Sequence, residues 1–428
     1  MDIIFAFATA VGRAGVSVLR LSGQGVFDSL KPVMPKIDAD RRTPYLADFQ
    51  KTSGEIIDTP LVLGFVSGAS FTGEETVELH LHGSPAIQKE TILILSQLPN
   101  MRMAEPGEFT RRALINGRMT LEEVEGLADL IDAETESQAI QARKLLNGHL
   151  KTAVADWRAK LIHSGALLQA TIDFADEEVP VDVFPEVSEI LLPLRAELEA
   201  QARGVVVSER VRSGFEVAII GQPNAGKSTF INALARRDVA IVTDVAGTTR
   251  DVLEVDLDLR GHSVRVLDTA GIRVTDDSVE KIGVERALDR AASADLRIWL
   301  KTSDDLAEPV DMTADDLIVA AKDDDGTHTN GLSGKTGHGI DRILNHIGKV
   351  FSDRVSRVGV ATLERHGIAI TNAVSYLDTA LFGLENGQEV ELVADDLRAA
   401  TRQLDQLIGH VDVEDVLDKV FSSFCLGK

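Results

Sequence analysis

The sequence predicts a multidomain chain of three classes: an N-terminal α+β region, an all-α region, and an α/β region inserted into the all-α one. Three observations carry this. Short β-type runs separated by turns fill the first 118 residues. Apolar residues at helical spacing then dominate to residue 212 and return from residue 353 onward. Between them, strand and helix patterns alternate as in a parallel sheet covered by helices. Helical sequence on both sides of one α/β unit is most economically one domain with an insertion, because the ends of a domain often lie close together. The expected divisions are therefore 1–118, 119–212, 213–352 and 353–428.

In the first region the β-type runs are GVSVLRLSG, LVLGFVSG and EETVELHLHG. TVELHLHG places Val77, Leu79 and Leu81 on one face and Glu78, His80 and His82 on the other. A Glu beside His-x-His is compatible with a metal site. A polar pocket wall explains the same alternation. Thr120-Leu121-Glu122-Glu123 then reads as a capping box, and Leu121, Val124, Ala128 and Ile131 continue at helical spacing to a stop near Asn147-Gly148. The acidic stretch DFADEEVPVDVFPE reads as a solvated connection. In the last region Val393, Leu397, Ala400, Leu404 and Ile408 form one apolar face.

Composition limits the function. The net charge of −24 gives no overall field to attract nucleic acid, so either the substrate is small or a partner supplies positive surface. One cysteine permits no intrachain disulfide, and a reducing cytoplasm is the natural setting. MDIIFAFATAVGRAGV has no basic n-region and is cut by Gly12-Arg13, and no stretch approaches eighteen apolar residues. A soluble cytoplasmic protein without a membrane segment is expected.

The chemistry concentrates in FEVAIIGQPNAGKSTFINAL. GQPNAGKS follows an apolar strand and precedes a helix, the setting of a phosphate-binding loop. Gly221 and Gly226 let backbone N–H groups close on phosphate oxygens, and the helix N-terminus adds its positive end. Lys227 reaches the β- and γ-phosphates, and the Ser228 hydroxyl can ligate Mg²⁺. Companion segments follow in order. AGTTRD offers Thr248 and Thr249 to sense a γ-phosphate, and VRVLDTAG puts Asp268 at a strand end with Gly271 free to swing. LIVAAKDDDG supplies Lys322 and Asp324, whose carboxylate can accept from guanine N1 and N2, and SGKTG (Ser333 to Gly337) completes a base pocket. The set resembles a GTPase of the translation-factor class. Two positions depart from it. Ala321 stands where Asn-Lys-x-Asp has its loop-bracing Asn, and Ile272 stands where many such enzymes carry a water-positioning Gln.

Taken with SFTGEETVELHLHGS, AEPGEFTRRALINGR, IDFADEEVP and FSSFCLGK, the chain resembles the MnmE (TrmE) family of tRNA-modification GTPases over essentially its whole length. The resemblance implies a GTP site at Asn224, Ala225, Gly226, Lys227, Ser228 and Thr229, continued by Thr243, Asp244, Val245 and Ala246. Gly247, Thr248 and Thr249 follow, then Asp268, Thr269, Ala270 and Gly271, with Lys322 and Asp324 at the base. It implies Mg²⁺ at Ser228 and Thr249, K⁺ at Asn224, Thr243, Val245 and Thr248, and Glu280 as the catalytic acid that orients water when two G domains pair. The N-terminal region is similar to a tetrahydrofolate-binding and dimerisation domain, with Arg20, Glu78, Arg118 and Lys428 at the folate, which would be the 5,10-methylene or 5-formyl form. Arg118 replaces the family's Lys.

The implied reaction adds a carboxymethylaminomethyl or aminomethyl group to C5 of the wobble uridine of certain tRNAs. The implied assembly is a homodimer, and a heterotetramer with the flavoprotein MnmG, which carries FAD and uses NADH. A ribosome-assembly GTPase switch is the alternative. It would be expected to append a basic RNA-binding domain, whereas Val355 to Lys428 carries twelve acidic residues against six basic ones. Cys425 has the position of a prenylation cysteine, but Gly427 is not aliphatic and no polybasic stretch precedes it. The residues alone favour a buried thiol; the resemblance implies a group at the modification site.

Overall fold

The computed structural model describes residues 2–10, 12–39, 43–173, 183–222, 224–237, 239–240, 254–268, 289–302, 311–409, 421 and 427. They divide into two units, 1–128 with 408–428 and 129–407.

The first unit contains β1 (Ile3–Phe7), β2 (Val16–Ser22), α1 (Val26–Leu30), β3 (Tyr45–Leu46), β4 (Phe49–Gln50) and β5 (Ile56–Asp58). It continues with β6 (Leu61–Phe65), β7 (Thr76–His82), α2 (Pro85–Leu95), β8 (Met101–Met103) and α3 (Glu108–Ile115), and α4 (Leu121–Asp132) starts in it. A six-stranded sheet runs in the order β3-β6-β7-β2-β1-β8. Its pairs are antiparallel except β1 with β8. Period-two alternation decides its faces. Leu19, Leu21, Val77, Leu79 and Leu81 pack into the main core with Val26, Leu30 and Leu95 from the helices. Each fully buried Leu or Val contributes about 1.5–3 kcal/mol. The register aligns Ala6, Arg20, Glu78 and Leu63 across four strands. A smaller cluster of Ile4, Ala6, Ala104 and Phe109 lies apart from the main core.

The second unit begins with α5 (Glu136–Leu146), α6 (His149–Asp173) and α7 (Phe184–Ser213). The region expected to run as one helix from residue 121 to near 147 is two, α4 and α5. A capping box between Thr135 and Gln138 starts the second, and Asn147 caps its end. At the expected Thr120 box, Thr120 N donates to Glu123 Oε2 at 2.8 Å, which is the reach-back half of the motif. Gly214 alone separates α7 from β9 (Phe215–Ile220), with φ 90°. Then come α8 (Lys227–Ala235), β10 (Glu254–Leu259), β11 (His262–Asp268), β12 (Leu296–Lys301), β13 (Leu317–Ala321) and β14 (Gly331–Leu332). The sheet order is β10-β11-β9-β12-β13-β14, parallel except for β10 with β11. Val217, Ala218, Ile219 and Ile220 are all buried, as a central parallel strand covered on both faces requires.

Three helices close the unit: α9 (Ile340–Val355), α10 (Glu364–Glu385) and α11 (Val390–Leu407). Helices α6, α7, α10 and α11 pack on one another. Trp157 is fully buried and donates to Glu197 Oε1 at 2.7 Å. The apolar face of α11 is Val393, Leu397, Ala400, Leu404 and Leu407. The helix stops there, so Ile408 lies beyond its end, before Gly409 at φ 76°. Among the described residues no helix is long and apolar enough to cross a membrane.

Candidate functional site

The loops after β9, β13 and β14 and the end of β11 meet at the carboxyl edge of the second unit's sheet, where open α/β sheets bind ligands. The loop between β9 and α8 passes over β12 so closely that a Cβ at Gly221 would stand 2.7 Å from Leu300 O. Asn224 and Gly226 both adopt left-handed φ, 66° and 100°, which turns the chain into α8. Among the described residues no side chain caps that helix, which leaves its first N–H groups to an anion. Ala225 is buried under the loop, and Ser228 and Thr229 are exposed on the first turn. Lys227 is buried, and its Nζ donates to Gly221 O at 2.6 Å and Gln222 O at 3.0 Å. The ammonium is thus held at the mouth of the loop.

Ser228 Oγ donates to Asp268 Oδ2 at 2.9 Å, joining the first turn of α8 to the end of β11. Asp268 Oδ1 is buried and has no hydrogen-bond partner among the described residues. The hydration shell of a cation beside Ser228 would satisfy that oxygen.

The base-side loop faces this pair. Lys322 takes a left-handed φ of 60°, and its Cγ lies 3.9 Å from the Cβ position of Gly226, so its aliphatic stem crosses the phosphate loop. Asp324 accepts from Ser333 Oγ at 2.6 Å. Ser333 Oγ in turn accepts from Lys335 N at 3.2 Å and Thr336 N at 3.0 Å. A Cβ at Gly334 would stand 2.7 Å from Phe230 N, which seats this loop directly on α8. Ala321 offers no side-chain group to brace it. Asp323, which sequence pattern did not single out, has a buried carboxylate that accepts from Thr327 and His328. Its position inside an acidic run gives no signal of that.

In the first unit Arg20 Nε donates to Glu78 Oε1 at 2.9 Å, both partly exposed. The Arg20 guanidinium lies 5.6 Å from the Phe71 ring and 5.7 Å from that of Phe109. His80 Nε2 is 3.8 Å from Glu78 Oε2, whereas His82 pairs with Asp58 at 2.7 Å. Among the described residues no group of three or more His, Cys, Asp or Glu is placed to hold a metal ion. Arg118 is exposed and packs against Gly73, its Cγ 3.2 Å from the Cβ position there, with Asn116 donating to Thr72 O at 2.7 Å. The loop that carries Phe71 to Arg20 therefore also carries Gly73 to Arg118. Gly427 is buried against β1, where a Cβ would stand 2.1 Å from Phe7 O, next to the Ala6 that pairs with Arg20.

Several sequence-derived candidates lie outside the described residues: Thr243, Asp244, Val245, Ala246, Gly247, Thr248 and Thr249, then Thr269, Ala270 and Gly271, and Glu280, Cys425 and Lys428.

A family model described as the MnmE helical domain matches residues 121–425, and one described as the GTP-binding protein TrmE N-terminus matches residues 3–118. Relatives named tRNA modification GTPase MnmE from Roseobacter denitrificans, Cereibacter sphaeroides and Ruegeria pomeroyi are each 50% identical to the chain, over 433, 435 and 430 residues and 100% of both sequences. The solved YchF GTPase of Schizosaccharomyces pombe aligns with 50% of this chain and 64% of its own, at 15% identity and a TM-score of 0.17, too slight a likeness to inform the fold.

Proposed function

The chain belongs to the MnmE family of tRNA modification GTPases, and from that membership we propose that it hydrolyses GTP to drive modification of tRNA at C5 of the wobble uridine. The group added is carboxymethylaminomethyl or aminomethyl, and the carbon comes from a tetrahydrofolate. The observation that carries the reading is the convergence of Lys227, the Ser228–Asp268 pair and Asp324 on one sheet edge.

Lys227 neutralises the β- and γ-phosphates, and the N–H groups of Asn224 to Thr229 cradle them. Asp324 accepts from guanine N1 and N2, an arrangement adenine cannot satisfy. Ser228 and Thr249 hold Mg²⁺, and the unpartnered Oδ1 of Asp268 suits its hydration shell. Held by Ser228 and Thr249, the ion would supply charge neutralisation to the phosphates during transfer. Asn224, Thr243, Val245 and Thr248 hold K⁺, and Glu280 orients the attacking water in place of the Gln that Ile272 replaces. Pairing of two G domains completes the site.

Residues 1–118 form the folate-binding and dimerisation domain in this reading. Residues 119–212 and 353–428 form the helical domain, and 213–352 the inserted G domain. Arg20, Glu78, Arg118 and Lys428 contact the folate. The exposed Phe71 ring beside Arg20 favours a flat heterocycle there. Cys425 is the candidate reactive group. MnmG, with FAD and NADH, completes a heterotetramer and supplies most of the grip on tRNA, which fits a net charge of −24.

Nucleoside analysis of tRNA from a deletion strain tests this. The wobble uridine is expected to lose its C5 substituent and to regain it when the wild-type gene is restored but not with Lys227→Ala. Full modification in the deletion strain refutes the assignment.

A further inference from the structure

We propose that Asp323 is the positioning residue of the base pocket, replacing in this chain the brace that Ala321 cannot provide. The proposal rests on the reading of Asp324 as the guanine-binding carboxylate and extends it to the residue that holds Asp324 in register.

Adjacent carboxylates here have opposite surroundings. The side chain of Asp323 is 2% exposed and that of Asp324 45%. Asp323 Oδ1 accepts from Thr327 N at 3.0 Å and Thr327 Oγ1 at 3.2 Å, and lies 3.2 Å from His328 Nδ1. Oδ2 accepts from His328 N at 3.1 Å and lies 3.5 Å from His338 Nε2. The main chain of Asp323 donates to Leu332 O at 3.1 Å and accepts from Gly326 N at 3.3 Å. One residue therefore ties together the turn after β13, the strand β14 and the segment leading into α9.

The fit is close. A Cβ at Gly331 would stand 1.8 Å from Asp323 Oδ2, so only glycine leaves room for the carboxylate. Burial alone raises the Asp323 carboxyl, but the bonds from His328 and Thr327 outweigh it and hold the group at about 2. A solvated acid in a loop shows neither feature. The half-exposed Asp324 next to it accepts from Ser333 Oγ through Oδ1, while its Oδ2 lies 3.9 Å from Lys335 Nζ; in the proposed reading its remaining acceptor sites take the base.

The test compares GDP with IDP, which lacks the 2-amino group, on the full-length protein. A charge-assisted bond to that amine makes GDP bind roughly ten- to a hundredfold tighter than IDP to the wild type. In Asp323→Ala, GDP affinity is expected to fall by about tenfold or more and the GDP/IDP ratio to approach one, because Asp324 loses its register. Adding Ala321→Asn to Asp323→Ala is expected to restore the ratio at least in part. A wild-type ratio in Asp323→Ala overturns the brace, whatever happens to thermal stability, since a merely loosened domain weakens both nucleotides alike. If the wild type fails to discriminate, or Asp324→Ala leaves its discrimination intact, the base-site reading falls and the brace with it.

Discussion

Ser228 and Asp268 meet at 2.9 Å although they are 40 residues apart in the chain. Their contact fixes the first turn of the helix after the phosphate loop to the end of a neighbouring strand. Asp268→Asn keeps the shape and removes the charge. GDP affinity in Mg²⁺ is expected to fall by about tenfold or more, while affinity in EDTA changes little. A fluorescent nucleotide titration under both conditions separates the two, and an unaltered Mg²⁺ dependence argues against the pair as part of the cation site.

Gly221→Ala places a methyl group 2.7 Å from Leu300 O at φ 157°. The loop must shift off its strand, at a cost of about 1–3 kcal/mol. GTP binding is expected to be lost in calorimetry, with a lowered unfolding midpoint. Gly334→Ala, 2.7 Å from Phe230 N, is expected to weaken guanine nucleotides through the base loop instead.

Arg20→Ala removes the partner of Glu78 and the cation between Phe71 and Phe109. Tetrahydrofolate binding, followed by calorimetry, is expected to weaken about tenfold or more. GTP turnover is expected to stay at the wild-type level. A folate affinity equal to wild type removes Arg20 from the site.

The first unit is expected to lose stability in acid through Glu108. Burial raises this carboxyl, but hydrogen bonds from Arg102, Glu105 N and Arg112 prevail and leave it below the ordinary 4.5. A depressed native value means the stabilisation is complete above that pH and is lost as the pH falls through the native value. Glu108→Gln is expected to cost about 1–3 kcal/mol near neutrality and to flatten the decline below pH 4.5. Denaturation midpoints measured across pH check both parts.

Local chemistry was legible where it repeats or is spelled by contiguous residues. TVELHLH shows its two faces by alternation alone, and GQPNAGKS carries its geometry in its glycines. Distant pairings were not legible. Arg20 and Glu78 meet because two strands adopt one register across 58 residues, which no local pattern specifies. The break between Asp132 and Glu136 lies in the polar stretch DAETESQ, where the apolar spacing lapses after Ile131 and resumes at Ala139, and the Thr135 box sets a new helix start. Of Asp323, Asp324 and Asp325, the one that buries is chosen by donors at Thr327 and His328, groups that an acidic run does not advertise.

The single residue between α7 and β9 makes the long helix a lever. Thirty helical residues extend about 45 Å, so one degree of rotation at Gly214 carries the far end through about 0.8 Å. Because α7 packs on α6 and α10, such a rotation sweeps the helical layer with it. The strand that bears the phosphate loop and the far end of α7 are thus joined by one pivot, with Pro193 inside the helix the point along it where the lever can bend.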